Sequence, residues 1–405
     1  MNPGDQITGI MKIGEKQVVL RGYGNPSWSE IRDGEEKRED FMICNGKYGE
    51  ISQGSDVFNL AYGPSTGGLE ESVRFNIYTY GERILSIAAE PLYKDRRIVM
   101  TGTDPVTALL RVERINGAYS PFYSSLFLTA LESIGDAGND PDLGYARILM
   151  NEVARIADHL HVIGRLAEGA AQNVAYHQIF ALREDLLRIV SARFGHRYFF
   201  GVNGYGGLRR KVNLEGITMD IHRISGQFRE IWSKLEESRI FVDRIQTTTT
   251  VRKPWLIGPA ARGAGFRTDS RISSSGLPYG DLGMQISVSE SGDSLSRALV
   301  RKDEIAESAS IIETVEGLIR HVPDAVDFNG RSFEGEYTTR TEAPGGDAVM
   351  RIALSGSRME AFYLRSPSVQ NLAAFCAGIG GNVLTDFTFG FESLGIHISE
   401  TGGYL

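Results

Sequence analysis

The segment Ala146–Leu166, ARILMNEVARIADHLHVIGRL, constrains the fold more than any other stretch of the chain. Leu149, Val153, Ile156, Leu160 and Ile163 step by four, three, four and three. At roughly 100° per residue these positions form one apolar stripe on a long helix. Glu152, Arg155 and His159 form a second, polar stripe that flanks the first and does not oppose it. Charges at the edge of a buried face have to meet partners inside the fold. Glu152 and Arg155 are spaced to pair at i,i+3. The row is either an interhelix hydrogen-bond network with no chemistry or the edge of a site.

The rest of the chain arranges itself around that helix. Upstream, VRFNIYTYG (73–81) and RILSIAAEP (83–91), preceded by QVVLRGY (17–23) and FMICNG (41–46), read as short strands rich in Val, Ile, Phe and Tyr. Gly63, Pro64, Ser65, Thr66 and Gly67 sit in a glycine-dense loop, which permits either a close backbone approach to a ligand or a plain hairpin connection. A second helix over 176–194 carries Arg183 and stops at Gly195; a third runs over 218–242, and the three suggest a bundle. Further on, IGPAARGAGFRTDSR (257–271) reads as a basic, backbone-exposing loop. A helix over 293–321 and the strands VMRIALSG and MEAFYLRSP close the chain. The expected class is α+β: an N-terminal extension (1–50), a β-rich region (51–102), a helical bundle (103–245) and an α+β portion (246–405), the last three forming one domain.

Composition excludes several functions. The formal charge of −8 argues against a nucleic-acid partner. No run reaches the 18 apolar residues of a membrane span, and the start has no signal-peptide pattern, so cytoplasmic residence is expected. Cys44 and Cys376 lie far apart, so thiolates of this chain alone are not expected to hold a zinc ion or an iron–sulfur cluster.

In their order and spacing, several motifs resemble one related group. They are Glu152-x-x-Arg155-x-x-x-His159-Leu160-x-x-x-Gly164, Phe180-x-x-Arg183-Glu184, Gly195-x-Arg197, Gly206-Gly207, Arg262-Gly263-Ala264-Gly265, Asp269-x-Arg271, Glu342-Ala343-Pro344-x-Gly346-Asp347 and Arg365-Ser366-Pro367. The group comprises the large subunits of group 4 membrane-bound nickel–iron hydrogenases and the 49-kDa-type subunit of respiratory complex I. The resemblance spans residues 55–405, and it implies the nickel–iron hydrogenase large-subunit fold.

The departures from the pattern bear on function. The hydrogenase segment R-I-C-G-x-C is matched here by Arg114-Ile115-Asn116-Gly117-Ala118-Tyr119, and D-P-C-x-x-C by Glu392-Ser393-Leu394-Gly395-Ile396-His397. Asn116, Tyr119, Leu394 and His397 cannot replace four soft thiolates, so no nickel–iron centre is expected. Complex I places a quinone headgroup in the corresponding cavity, one carbonyl held by a histidine of a G-P-x-H-P-S-x-H-G loop and the other by a tyrosine. Gly63 and Gly67 stand at the histidine positions of that loop, and Gly117 at the tyrosine position. The resemblance leaves Tyr119, Tyr123 and His397 as the candidates to line an acceptor cavity, where they could hydrogen-bond and protonate a reduced quinone. Glu152, Arg155, His159 and Arg183 are the candidates for proton relay or coupling.

Loss of the cysteines is the profile of energy-converting-hydrogenase-related complexes. That resemblance implies a peripheral subunit on the cytoplasmic side of the cell membrane. Its partners would be a small subunit bearing a 4Fe–4S cluster, complex I 30-kDa-like and ferredoxin-like subunits, a membrane heel subunit and antiporter-like subunits. The resemblance implies no cofactor bound by this chain itself, with a quinone as the candidate acceptor. Two functions stay open: an electron-accepting subunit that reduces a quinone or similar acceptor in a redox-driven ion pump, or a non-catalytic scaffold that joins the cluster subunit to the membrane arm.

Overall fold

The computed structural model describes residues 7–13, 16–21, 27–32, 35–39, 48–65, 69–91, 98–137, 140–273 and 276–401, the first four stretches and residue 273 as backbone only. Strands β1 (Ile7–Ile13), β2 (Lys16–Arg21), β3 (Ser27–Arg32) and β4 (Glu35–Glu39) pair in chain order as an antiparallel sheet. A second sheet, ordered β5-β8-β7-β6, is built from β5 (Tyr48–Gly49), β6 (Phe58–Tyr62), β7 (Arg74–Tyr80) and β8 (Arg83–Glu90). Alternation along β7 buries Phe75 and Ile77, as the period-two pattern requires of a half-buried strand. The segment 41–46 and loop residues Thr66 and Gly67 lie outside the described residues.

The bundle follows. Helix α1 (Pro105–Val112) and α2 (Ser120–Ile134) lead into α3 (Pro141–Gly169), α4 (Asn173–Phe194) and α5 (Ile217–Glu237). The start of α3 is set by Asp140, whose carboxylate accepts from the Leu143 amide, with Pro141 in the first turn. Helix α4 stops at Gly195, whose φ of 77° is the left-handed conformation expected of a glycine stop. The third expected helix ends earlier than its apolar pattern suggests, because Ser238 breaks it and caps α6 (Arg239–Ile245) instead.

Past residue 246 come α7 (Gly258–Gly263), α8 (Ser294–Leu318) and an antiparallel meander of β11 (Gly335–Ala343), β12 (Gly346–Ser355) and β13 (Arg358–Arg365), after the short hairpin β9 (Asn203–Gly204) and β10 (Gly207–Leu208). Helices α9 (Pro367–Gly378) and α10 (Phe387–Glu392) finish the described chain. The expected basic loop at 257–271 is a correction: part of it is α7, and Arg262 and Arg271 are fully buried. Glycine density there serves close packing, since a Cβ on Gly258 would meet the Gly345 carbonyl at 2.4 Å.

Two apolar clusters hold these parts. One joins α1–α5 and α8 to the β11–β13 meander. The other joins the β5–β8 sheet to α9 and α10 through Phe75, Phe375, Phe387 and Phe391, which meet edge to face at 5.1 to 5.9 Å. That aromatic cluster places residues 392–401 against α2 and α3, where the site lies.

Candidate functional site

The first layer of the site is built on Glu400, which is fully buried. Its carboxylate accepts from Asn116 Nδ2 at 2.8 Å, from the Tyr123 hydroxyl at 2.6 Å and from Ser368 Oγ at 2.6 Å. Burial raises its pKa above the ordinary carboxylate range, against the lowering effect of those donors and of His397. Two of the residues expected to border an open cavity, Asn116 and Tyr123, therefore plug it. A third, Leu394, is fully buried in the apolar cluster with Phe391 and Ile398. The side chains of Asn116, Tyr119, Leu394 and His397, which the motif resemblance sets against the hydrogenase cysteines, do not fit a nickel–iron centre. One is an alkyl group, one is an amide bound to Glu400, and the remaining two face Asp158.

The second layer centres on Asp158 of α3. His397 Nε2 lies 3.0 Å from its Oδ1, and the Tyr119 hydroxyl 3.5 Å from its Oδ2. The Tyr119 and His397 rings pack edge to face at 4.9 Å. Burial works against a charged His397, yet the hydrogen bond and charge of Asp158 outweigh it and hold the imidazolium up to about 9. Asp158 in turn overcomes its own burial through the His397 hydrogen bond and is held down to about 2. Tyr119, buried beside two carboxylates, stays a neutral phenol, its pKa well above the usual value.

His397 keeps 18% of its side chain exposed. It faces a cavity of about 30 Å³ that is also lined by Leu69, Glu70, His161, Glu392 and Gly395. Such a space holds on the order of two waters. Pockets for drug-sized ligands run to roughly 300–1,000 Å³.

The third layer is an ionic network in the bundle. Glu152 pairs with Arg155 at 3.1 Å, as its spacing predicts, and also takes Arg271, Tyr279 and Ser308. Arg155 reaches the carbonyls of Glu342 and Ala343. His159 Nε2 lies 2.7 Å from Glu304 on α8, and Glu304 pairs with Arg262 at 2.7 Å. Arg262 continues to Glu342 at 2.7 Å and Asp269 at 3.4 Å.

Not every candidate joins these layers. Arg114 is half exposed and stacks over Phe200 at 4.8 Å, away from the site. Arg183 is part-buried and donates to the Ala157 carbonyl at 3.2 Å, outside the ionic network. Glu392 pairs with Arg165 at the cavity wall. Gly63 has φ of 96°, and a Cβ there would meet the Val73 carbonyl at 2.0 Å. Placing a histidine there by Gly63→His is therefore expected to destabilise the chain by more than ~2 kcal/mol. A thermal melt within a degree of the unaltered chain would sink that expectation. Asp158, Arg301, Glu304 and Glu400 were missed. In the sequence, Asp158 sits between Ala157 and His159, and Glu304 belongs to the charged run Arg301-Lys302-Asp303-Glu304; nothing local marks either acid as buried.

The architecture and these motifs can now be set beside known proteins. Residues 169–329 match the family model described as respiratory-chain NADH dehydrogenase, 49 Kd subunit. The carbon monoxide-induced hydrogenase of Rhodospirillum rubrum is 25% identical over 85% of this chain and 99% of its own length. The membrane-bound hydrogenase subunit alpha of Pyrococcus furiosus is 26% identical over 83% and 85%. An NADH-quinone oxidoreductase subunit of Protochlamydia amoebophila is 27% identical over 70% and 72%. The chain is similar, over most of its length, to membrane-bound hydrogenase and NADH-quinone oxidoreductase subunits. A chain of the membrane-bound sulfane sulfur reductase, an archaeal respiratory membrane complex, superposes with a TM-score of 0.79 at 22% identity, covering 86% of this chain and 99% of that one. The fold is thus shared with a chain of that complex. Among the described residues no helix is long and apolar enough to cross a membrane.

Proposed function

We propose that this chain is a coupling subunit of a membrane-associated, complex I-like redox complex, and that its former metal cavity has become a closed proton-holding element. The observation that carries this reading is the occupation of the cavity from within. Glu400 is satisfied by Asn116, Tyr123 and Ser368, and about 30 Å³ of space remains beside His397. The subunit sits on the cytoplasmic side, against a small subunit with a 4Fe–4S cluster and 30-kDa-like and ferredoxin-like subunits, above a heel subunit and antiporter-like channels. Electrons stay on the cluster partner or pass elsewhere; this chain contributes a charge whose position responds to them.

One observation favours the acceptor reading. His397 is partly exposed to the cavity beside the Tyr119 ring, and a histidine next to a tyrosine is the pairing a quinone carbonyl would use. The two readings part in one experiment. The natively assembled complex is reduced with dithionite, and reoxidation of its clusters by a short-chain quinone is followed in unaltered and His397→Gln complexes. Coupling predicts rates equal within about twofold. A tenfold slowing in the variant, about 1.4 kcal/mol of barrier, would overturn the coupling reading and return the site to acceptor chemistry.

A further inference from the structure

Beyond the cavity rim, a row of titratable atoms leads inward. His397 Nε2 lies 3.0 Å from Asp158 Oδ1, and Asp158 Oδ2 lies 4.0 Å from Nδ1 of His159, the next residue on α3. That Nδ1 is buried and has no hydrogen-bond partner, whereas Nε2 of the same ring lies 2.7 Å from Glu304 Oε2. A buried nitrogen left without a partner, pointing at a carboxylate one short step away, is a costly arrangement for a purely structural histidine. Glu304 carries its charge against Arg262, so the ring donates Nε2–H to it and keeps Nδ1 as an acceptor.

We infer that His397, Asp158, His159 and Glu304 form a proton relay from the cavity rim to the ionic network of the bundle. It supplies the coupling reading with a route, though its geometry stands apart from that reading. The step balances as follows. His397 Nε2–H passes its proton to Asp158 Oδ1, leaving a neutral imidazole at the rim. The carboxyl group rotates and gives the proton to His159 Nδ1, closing the 4.0 Å gap by about 1 Å to reach hydrogen-bond distance. His159 releases its Nε2–H to Glu304 Oε2 and ends as the opposite tautomer. No electron moves, and the net change is one proton carried from His397 to Glu304.

The surroundings define where the relay stops. Arg262 cannot give up a proton, so Glu304 is the inner end. Protonating Glu304 weakens its pair with Arg262, the residue that ties α8 to Glu342 on β11 and to the Thr268 carbonyl. A charge at the rim is thereby converted into a loosened contact between α7, α8 and β11. Arg301 acts electrostatically on Asp158, Glu304 and Tyr119, and opposes a permanently charged His159. At the rim, His161 stacks on His397 at 6.4 Å and faces Glu70 at 3.4 Å. These two rings, with Glu70, Glu71 and Glu392, form the entrance.

The test reads the proton itself. Full-length protein labelled uniformly with 15N is transferred to D2O, and exchange of the His159 ring N–H is compared with the backbone amides of Ile156 and Leu160 on the same helix. His159→Gln assigns the signal. A relay open to solvent predicts ring exchange at least tenfold faster than those amides, and a fall of tenfold or more in that ratio in Asp158→Asn. His397→Gln, at the rim, gives the same fall should Asp158→Asn not fold. Ring exchange as slow as the amides, or a ratio unchanged in the variant measured, overturns the relay. This readout needs no assembled complex. A working relay in a complex whose electron transfer slows in His397→Gln would keep the route and discard the coupling reading.

Discussion

Arg262→Ala is expected to cost about 3–5 kcal/mol of folding stability, the range for breaking a buried ion pair from one side. The guanidinium is fully buried and spans Glu304, Glu342 and Asp269, so its removal strands three carboxylates without their shared cation. Desolvation opposes a charged Arg262, yet the surrounding carboxylates raise its pKa still further above the ordinary value, which shows how strongly the cation is held. Neutralising one stranded acid in the double variant Arg262→Ala, Glu304→Gln is expected to restore part of the loss, because the two sites share one network. Arg183→Ala, which gives up a single part-buried hydrogen bond, sets the scale at about 1 kcal/mol. Urea denaturation of the full chain measures all three. A loss below 1 kcal/mol in Arg262→Ala would mean that the acids are repacked or solvated.

The second large effect is a pH dependence. His397 is raised from its ordinary value of 6.5 to about 9, so its contribution is fully present below pH 6.5 and is lost as pH rises through about 9. Asp158 is lowered from 3.8 to about 2, so its contribution is present above pH 3.8 and is lost as pH falls toward 2. Both limbs report one contact and are not added. Stability is expected to plateau between about pH 4 and 6.5 and to decline by about 3 kcal/mol toward pH 10. His397→Gln removes the alkaline limb. Melting temperatures from pH 4 to 10 check this, and parallel curves for the two proteins between pH 6 and 10 would refute it.

What was legible before the structure follows from how locally each property is encoded. The α3 stripe, the Glu152–Arg155 pair and the stop at Gly195 each depend on neighbours within four residues, and each is found as read. The meander strands β12 and β13 show the same, whereas β11 passed unread because GEYTTRTEA has too few apolar residues to declare itself. Loop 257–271 differs from its sequence reading because Arg262 and Arg271, lying near glycines, look as solvated as the exposed Arg267 until Glu304, Glu342, Asp269 and Glu152 are known to surround them.

The site divides along the same line. By itself the sequence determined that α3 carries charges beside its buried face and that the order of its motifs resembles the 49-kDa-type pattern. Only the tertiary structure decided which partners the buried acids meet. Glu400 lies 284 residues from Asn116 and Glu304 lies 145 from His159, and no periodicity links positions so far apart. Buried charges take their meaning from the partner that neutralises them, and that partner is chosen by packing in three dimensions.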